Sequence, residues 1–232
     1  MAISLVQSVG STPGAAQNST PVTLGSTTTG NNLYVFFAEE SGSSINSITC
    51  TGATFSSTGI SVISSQGKLE VWYASNITGA TTPTLTVNLS ASTAACPVIV
   101  REYSGLVSYI DQIAQTAVNA NPATSPNIPQ STSLPSSLLI GAFVGDNNSH
   151  TISAGTGYGN FLQQNGGNGL GIPLAAEDQI VSAKGIYSAS VVNPSGTATV
   201  DIAIITIPAS VAHAQFNNSG LRPHSFSPGL AR

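Results

Sequence analysis

Charge is what this chain has least of. Only 14 of its 232 residues are Asp, Glu, Lys or Arg, 6% of the chain, against roughly a quarter in an average soluble domain. Five Lys and Arg face nine Asp and Glu, for a formal net charge of −4, so the basic footprint that neutralises nucleic-acid phosphates is missing. Leu, Ala, Glu and Lys do not recur at heptad or helical spacing, which excludes coiled coils and helical bundles. Cysteine is scarce too: Cys50 and Cys96 are too few for a disulfide scaffold of this length. They read as free thiols buried on core strands, with a single bridge as the alternative. Apolar runs stay short; the best candidate, Ile202 to Ile207, is stopped by Asp201 and Pro208, far below the ~20 residues that span a bilayer. The opening MAISLVQSVG has neither the basic region nor the long apolar stretch of a secretory signal. The expectation is a chain made without a signal or already stripped of one.

Hydrophobic residues nevertheless make up 41% of the sequence, which at this length sustains a substantial core and excludes charge-driven disorder. Short β-branched or aromatic runs fenced by Gly, Ser, Asn and Pro predict strands near residues 3–9, 22–24, 33–38, 45–50, 60–64, 69–74, 84–89, 98–103, 112–118, 138–144, 179–182, 186–192 and 198–207. This spacing points to an all-β fold, an antiparallel, jelly-roll-like β-sandwich. Residues 84–89, TLTVNL, alternate as a strand with one wet face does. Residues 33–38, LYVFFA, and 138–144, LLIGAFV, are continuously apolar, so both belong at the centre of sheets covered on both faces.

Those two runs begin an internal correspondence at an offset of about 104 residues. TGATF at 51–55 matches AGTGY at 154–158, ASNITG at 74–79 lies opposite EDQIVS at 177–182, and VIV at 98–100 opposite IAI at 202–204. The body, residues 1–212, is therefore expected to consist of two similar halves, about 1–118 and 131–212. We favour halves interleaved in one sandwich over two tandem ones. The join at 119–130, NANPATSPNIPQ, is Pro-rich and suits a linker or a long crossover.

The segment 213–232 differs from the body. It holds two of the five basic residues, Arg222 and Arg232, and no acid, which leaves the body with three bases against nine acids, about −6, and the tail at +2. Phe216, Leu221, Phe226 and Leu230 are too far apart, and too broken by Gly and Pro, for one helix face. They read as anchors of an extended C-terminal arm that docks, with Arg222 and Arg232, on a neighbouring subunit; a disordered tail is the alternative.

Catalytic chemistry finds little purchase. Nucleophilic catalysis needs a histidine beside a Ser or Cys, yet His150, His213 and His224 are isolated and sit in no motif, and no Gly-x-Ser-x-Gly elbow occurs. The adjacent acids Glu39 and Glu40, and Glu177 and Asp178, point to opposite faces of a strand and do not converge. Glu70, Glu102, Asp111 and Asp201 lie on or beside predicted strands, where local bases such as Lys68 and Arg101 can pair with acids. The loop 145–149, GDNNS, offers oxygen ligands for calcium, but its single carboxylate fits a turn better. The glycine clusters at 155–159 and 166–171 lack the following helix of a nucleotide loop. Asn-x-Ser/Thr matches at Asn18, Asn76, Asn88, Asn147 and Asn217 are what so Ser/Thr-rich a chain produces by chance. Trp72, Tyr73, Tyr103, Tyr109, Tyr158 and Tyr187 are scattered along the chain, with no cluster of the kind that stacks on sugar rings. Neighbours Trp72 and Tyr73 face opposite ways, so one of them belongs to the core. No cofactor or metal is implied, and the expectation is a protein that is not an enzyme.

Three segments taken together resemble Ser/Thr/Gly-rich β-sandwich modules of tailed-bacteriophage structural proteins and bacterial surface proteins. LEVWYASNITG at 69–79 followed by TLTV at 84–87 is similar to their "YYAKNIAGG…TVTVTF" stretch. REYSGL at 101–106 resembles "EYSGL", and EDQIVS at 177–182 with YSAS at 187–190 resembles "EDxxVSxAGxYSAT". The matches run in the family's order over roughly residues 30–207. The closing RPHSFSPGLAR at 222–232 is similar to the C-termini of some small phage- or prophage-encoded proteins. The resemblance implies a jelly-roll-like fold and a structural role, and carries no catalytic residues. Its expected form is a virion protein assembled in the host cytoplasm, most simply a capsid decoration or cement protein. Its expected partners are the major capsid protein or another virion protein and further copies of itself, with a trimer favoured, and neither nucleic acid nor membrane. A tail or neck appendage, or an extracellular carbohydrate-binding or adhesion module, is the alternative.

Overall fold

The protein is described by a computed structural model over residues 2–12, 15–39, 42–64, 67–93, 96–129, 136–145, 152–167, 172–192 and 198–210. Among these residues it is all-β. The strands in chain order are β1 (Ser4–Ser11), β2 (Gln17–Thr23), β3 (Asn32–Glu39), β4 (Ile45–Cys50), β5 (Ala53–Thr54), β6 (Ser56–Ile63), β7 (Lys68–Ala74), β8 (Thr84–Thr93), β9 (Val98–Ser104) and β10 (Gln112–Ala120). They continue with β11 (Ala123–Thr124), β12 (Ile128–Pro129), β13 (Ser137–Gly145), β14 (Ser153–Ala154), β15 (Gly159–Asn165), β16 (Pro173–Val181), β17 (Ile186–Tyr187), β18 (Ser190–Val192) and β19 (Ala198–Pro208).

Two five-stranded sheets form the middle of the molecule, ordered β1-β9-β3-β7-β6 and β10-β19-β13-β16-β15. A four-stranded sheet, β2-β8-β4-β5, lies outside the first; the small sheets β11-β18-β14 and β12-β17 lie outside the second. All these ladders are antiparallel, and seven of them nest: β1 pairs with β9, β2 with β8 and β3 with β7, then β10 with β19, β11 with β18, β12 with β17 and β13 with β16. Nesting of this kind is what a long hairpin gives when it is rolled into two facing sheets, the jelly-roll pattern.

Among the described residues no ladder joins the strands of 4–104 to those of 112–208; an isolated bridge between Leu106 and Ala209 is the one backbone pairing across that divide. The expected interleaving of halves therefore does not occur. The change-over also falls earlier than the Pro-rich join, because β10 lies in the second middle sheet beside β19. Residues 119–130 are not a bare linker, since β11 and β12 supply strands to the outer layer. Pro129 is tolerated there because β12 pairs only with β17, leaving a free side that needs no donor.

Three apolar layers separate the four levels of sheet. The central one takes Tyr34, Phe36 and Ala38 from β3, Leu69 and Val71 from β7, Leu138, Ile140 and Ala142 from β13, and Ile205 and Ile207 from β19. The alternate residues of the same strands, Leu33, Val35 and Phe37, or Leu139 and Phe143, face the outer layers. Both strands are thus apolar on both faces, as their unbroken hydrophobic runs require. The alternating strand β8 buries Leu85, Val87 and Leu89 and leaves Thr84 and Ser90 exposed. Cys96 is buried just before β9, Cys50 is half-buried at the end of β4, and no disulfide joins them.

The two middle sheets stack so that β1 runs beside β15 and β6 beside β10. The Thr12 hydroxyl donates to the Asn165 carbonyl at 2.7 Å along the first seam, and the Ser61 amide to Gln115 Oε1 at 2.9 Å along the second.

Candidate functional site

The few charges of the body lie mostly inside it. Arg101, on β9, is fully buried between the two middle sheets and reaches Asp178 on β16 at 3.5 Å. Its guanidinium also donates to the carbonyls of Ala176, at 2.7 Å, and Asn160. The Tyr103 hydroxyl donates to the same Asp178 oxygen at 2.6 Å and Asn160 Nδ2 to the other at 2.9 Å. Burial, with the Asp178 charge beside it, holds the Tyr103 hydroxyl protonated well above its usual range. This cluster fastens one sheet stack to the other.

Glu177 faces the opposite side of β16, as adjacent strand residues must, and its Oε2 accepts the Gly155 amide at 2.8 Å. Burial raises its pKa to about 7, against the pull of the Gly155 and Ser190 amides and of Arg101. Glu102 is enclosed on the far side of β9 and accepts from the Thr28 amide at 2.9 Å, Asn31 Nδ2 at 2.7 Å and Gln7 Nε2 at 2.6 Å, pinning the loop after β2. Lys68 pairs with Glu70, whose other oxygen takes the Ile45 amide at 3.2 Å. Asp201, on β19, is pushed up to about 6 by burial, partly offset by the Ser64 hydroxyl and amide. Each of these acids lies within a packed layer, where Asp178, Glu177, Glu102 and Glu70 serve as internal fasteners. Among the described residues no three His, Cys, Asp or Glu side chains gather as a metal site would require.

One open concavity of about 310 Å³ lies at the β6–β10 seam. Ser57 and Thr58 of β6 and Tyr73 of β7 form one wall; the connector from Tyr109 to Asp111, with Gln112 and Ile113 of β10, forms the other. A bulge in β6 between Ser57 and Ser61 opens this wall. The groups it frees are taken up locally: Thr58 Oγ1 donates to the Val71 carbonyl at 2.7 Å and accepts the Ile60 amide at 3.1 Å, and Ser57 Oγ accepts the Gly59 amide at 3.1 Å. Tyr73 stacks at 6.4 Å on buried Tyr34, which in turn meets Tyr103 edge-on at 6.0 Å. Tyr109 is 51% exposed. Asp111 donates its backbone amide to the Thr206 carbonyl at 2.9 Å, and its Oδ2 is enclosed without a hydrogen-bond partner.

No protein-family model, curated protein or solved structure matches the chain.

The geometry of this chain alone therefore decides among the sequence-predicted residues. The arm residues Phe216, Leu221, Arg222, Phe226, Leu230 and Arg232 lie outside the described residues, as do His150, His213, His224, Glu40 and residues 146–149 of the acidic loop. Residues 155–158 form the connection between β14 and β15, with Gly157 in the left-handed region, and Gly159 opens β15. Trp72 and Tyr73 do face opposite layers, but both are half-buried, Trp72 beneath the outer sheet and Tyr73 at the cleft, so neither is the fully buried core residue expected of one of them. Along the sequence the aromatic residues form no cluster. The structure makes one by bringing Tyr73 and Tyr109 into a single cleft from positions 36 residues apart.

Proposed function

We propose that this protein is a structural component of a tailed-phage virion, most simply a capsid decoration or cement protein that binds the shell and neighbouring copies of itself. The observation that carries this reading is where the resembling segments lie in the fold. Arg101, Glu102, Tyr103 and Leu106, within the stretch similar to "EYSGL", bond the middle sheets to each other and to the loop after β2. Glu177 and Asp178, in the second resembling stretch, complete the same fastening. A module whose signature residues hold layers together is suited to bearing load. The nested pairing seen in both stretches of chain supports a body made of two copies of one roll, which offers two related outer faces to an assembly. A body with so few surface charges gains little electrostatic protection against association, and the basic, apolar-anchored segment 213–232 would extend over a neighbour.

The test is co-sedimentation of the purified full-length chain with phage shells lacking it. Saturable binding is expected, weakened at least tenfold by removal of residues 215–232. Absence of binding to shells, tails and necks alike would overturn the reading. A second reading, an extracellular carbohydrate-binding module, is favoured by one observation, the cleft between Tyr73 and Tyr109.

A further inference from the structure

The two seams between the middle sheets are built alike and finished differently. In β15 the ladder slips after Gly159, whose partner is Asp178; in β6 it slips after Ser57, whose partner is Trp72, one place beyond the Ser56–Tyr73 pair. Tyr73 therefore sits one pair away from its bulge and packs against the central layer beside it. At the β15 seam the space is filled, because Arg101 crosses from the other sheet and bonds the bulge at the Asn160 carbonyl and Asp178. At the β6 seam β10 and β19 stand opposite, and Gln115 of β10 reaches the far end of the bulge, where its Oε1 accepts the Ser61 amide at 2.9 Å, leaving the Ser57–Thr58 end open. The space left is the 310 Å³ cleft.

We infer that this cleft is a binding site for a neutral saccharide of one or two rings. Its volume stands at the small end of the range for ligand sites, which suits a sugar ring and is too small for a folded partner. Tyr73 is a rigid platform, since its ring is backed by Tyr34 and through it by Tyr103. Tyr109 supplies a second aromatic surface that is half in solvent and has an apolar face and a polar tip. Hydrogen-bonding groups of both kinds surround them: the Ser57 hydroxyl, the Gln112 amide and the Asp111 carboxylate. Asp111 is the one charge on the walls, and no Lys or Arg lines them. A carboxylate without a basic companion repels phosphates, sulfates and acidic sugars and accepts hydrogen bonds from uncharged hydroxyls. Aromatic surface for the ring's C–H face and acceptors for its rim are the complement of a neutral pyranose.

This inference does not depend on the virion reading. Its test uses the full-length chain, titrated calorimetrically and by saturation-transfer NMR with neutral di- to tetrasaccharides of glucose, galactose, mannose and N-acetylglucosamine. At least one series is expected to saturate with Kd of roughly 10 µM to 1 mM, the range that ligand efficiency allows for so few atoms. Tyr109→Ala, at an exposed position where folding is indifferent, should weaken it at least tenfold; Tyr109→Phe should retain most of it. Asp111→Asn should weaken binding without abolishing it. No saturation with any series up to about 10 mM overturns the inference, and so does binding that is as tight in Tyr109→Ala as in the parent. Shell binding is measured on the same variants: its loss with saccharide binding intact, or the reverse, shows which of the two proposals has failed.

Discussion

At the scale of single residues the molecule is governed by a handful of buried charges. Arg101 and Asp178 are each almost wholly enclosed, and removing one partner of such a pair leaves the other charged, buried and uncompensated. Arg101→Met is therefore expected to cost about 3–5 kcal/mol, read as a lowered urea midpoint at unchanged slope. Adding Asp178→Asn should recover much of that loss, because the amide still meets Tyr103 and Asn160 without carrying a charge. Strict additivity of the two substitutions would contradict the pairing. Glu177 makes a different prediction. Its folded pKa, about 7, lies above the ordinary value of 4.5, so the folded state binds the proton more tightly than the unfolded chain does. Its contribution to stability is complete below about pH 4.5 and fades as pH rises through 7. Asp201, raised from 3.8 to about 6, adds a loss of the same sign over a lower window. Melting temperature should fall between pH 5 and pH 8, and Glu177→Gln should flatten that fall.

At the scale of elements, strand ends and turns are fixed by a few backbone positions where no side chain fits. Gly105, directly after β9, has φ +76° and a Cβ there would lie 2.1 Å from the Ala2 carbonyl oxygen. Gly105→Ala should cost more than about 2 kcal/mol, since backbone strain and a clash with main chain act together. Gly30 is the comparison: its φ is +88° but nothing lies within 4 Å of an added Cβ, so Gly30→Ala should cost only the left-handed strain, about 1–2 kcal/mol. Denaturant midpoints of the two variants measure the difference. The strands themselves were largely legible in the chain. LYVFFA and LLIGAFV occupy the middle position of their sheets, and TLTVNL has its wet face outside. What the chain concealed were β15 (Gly159–Asn165), whose Gly, Asn and Gln residues give no strand signal, and the two-residue strands β5, β11, β12 and β14. Two residues are too few for a period to register, and nonlocal ladders rather than intrinsic preference hold them in place.

At the scale of the whole molecule the stacking of the two middle sheets matters most. The face of the first sheet that meets the second carries Tyr34, Phe36, Leu69, Val71, Ile99 and Tyr103. Residues 1–110 made alone would expose that face as a contiguous apolar patch far larger than soluble monomers carry. The fragment is expected to aggregate or self-associate in light scattering, and a monodisperse monomer would show that the central layer is dispensable. The cleft belongs to this scale too. Ser57, Tyr73 and Tyr109 are distant in sequence and come together only where the edge of one sheet meets the connector leading into the other.

The low charge count is visible in the sequence, and so are the β class, the strand centres and the two doubly covered runs, because side-chain alternation is a local, period-two property that each segment states for itself. The sequence also showed Glu177 and Asp178 facing apart, for the same reason. Only the tertiary structure decided that β10 belongs to the second middle sheet, that the Pro-rich residues 119–130 contribute strands, and that the two sets of ladders stack instead of interleaving. Hydrophobic burial is non-directional and rewards any arrangement that covers the same faces. The choice among such arrangements rests on contacts as specific as Arg101 against Asp178 and Asn160, which pair residues 77 and 59 positions apart and leave no periodic trace in the chain.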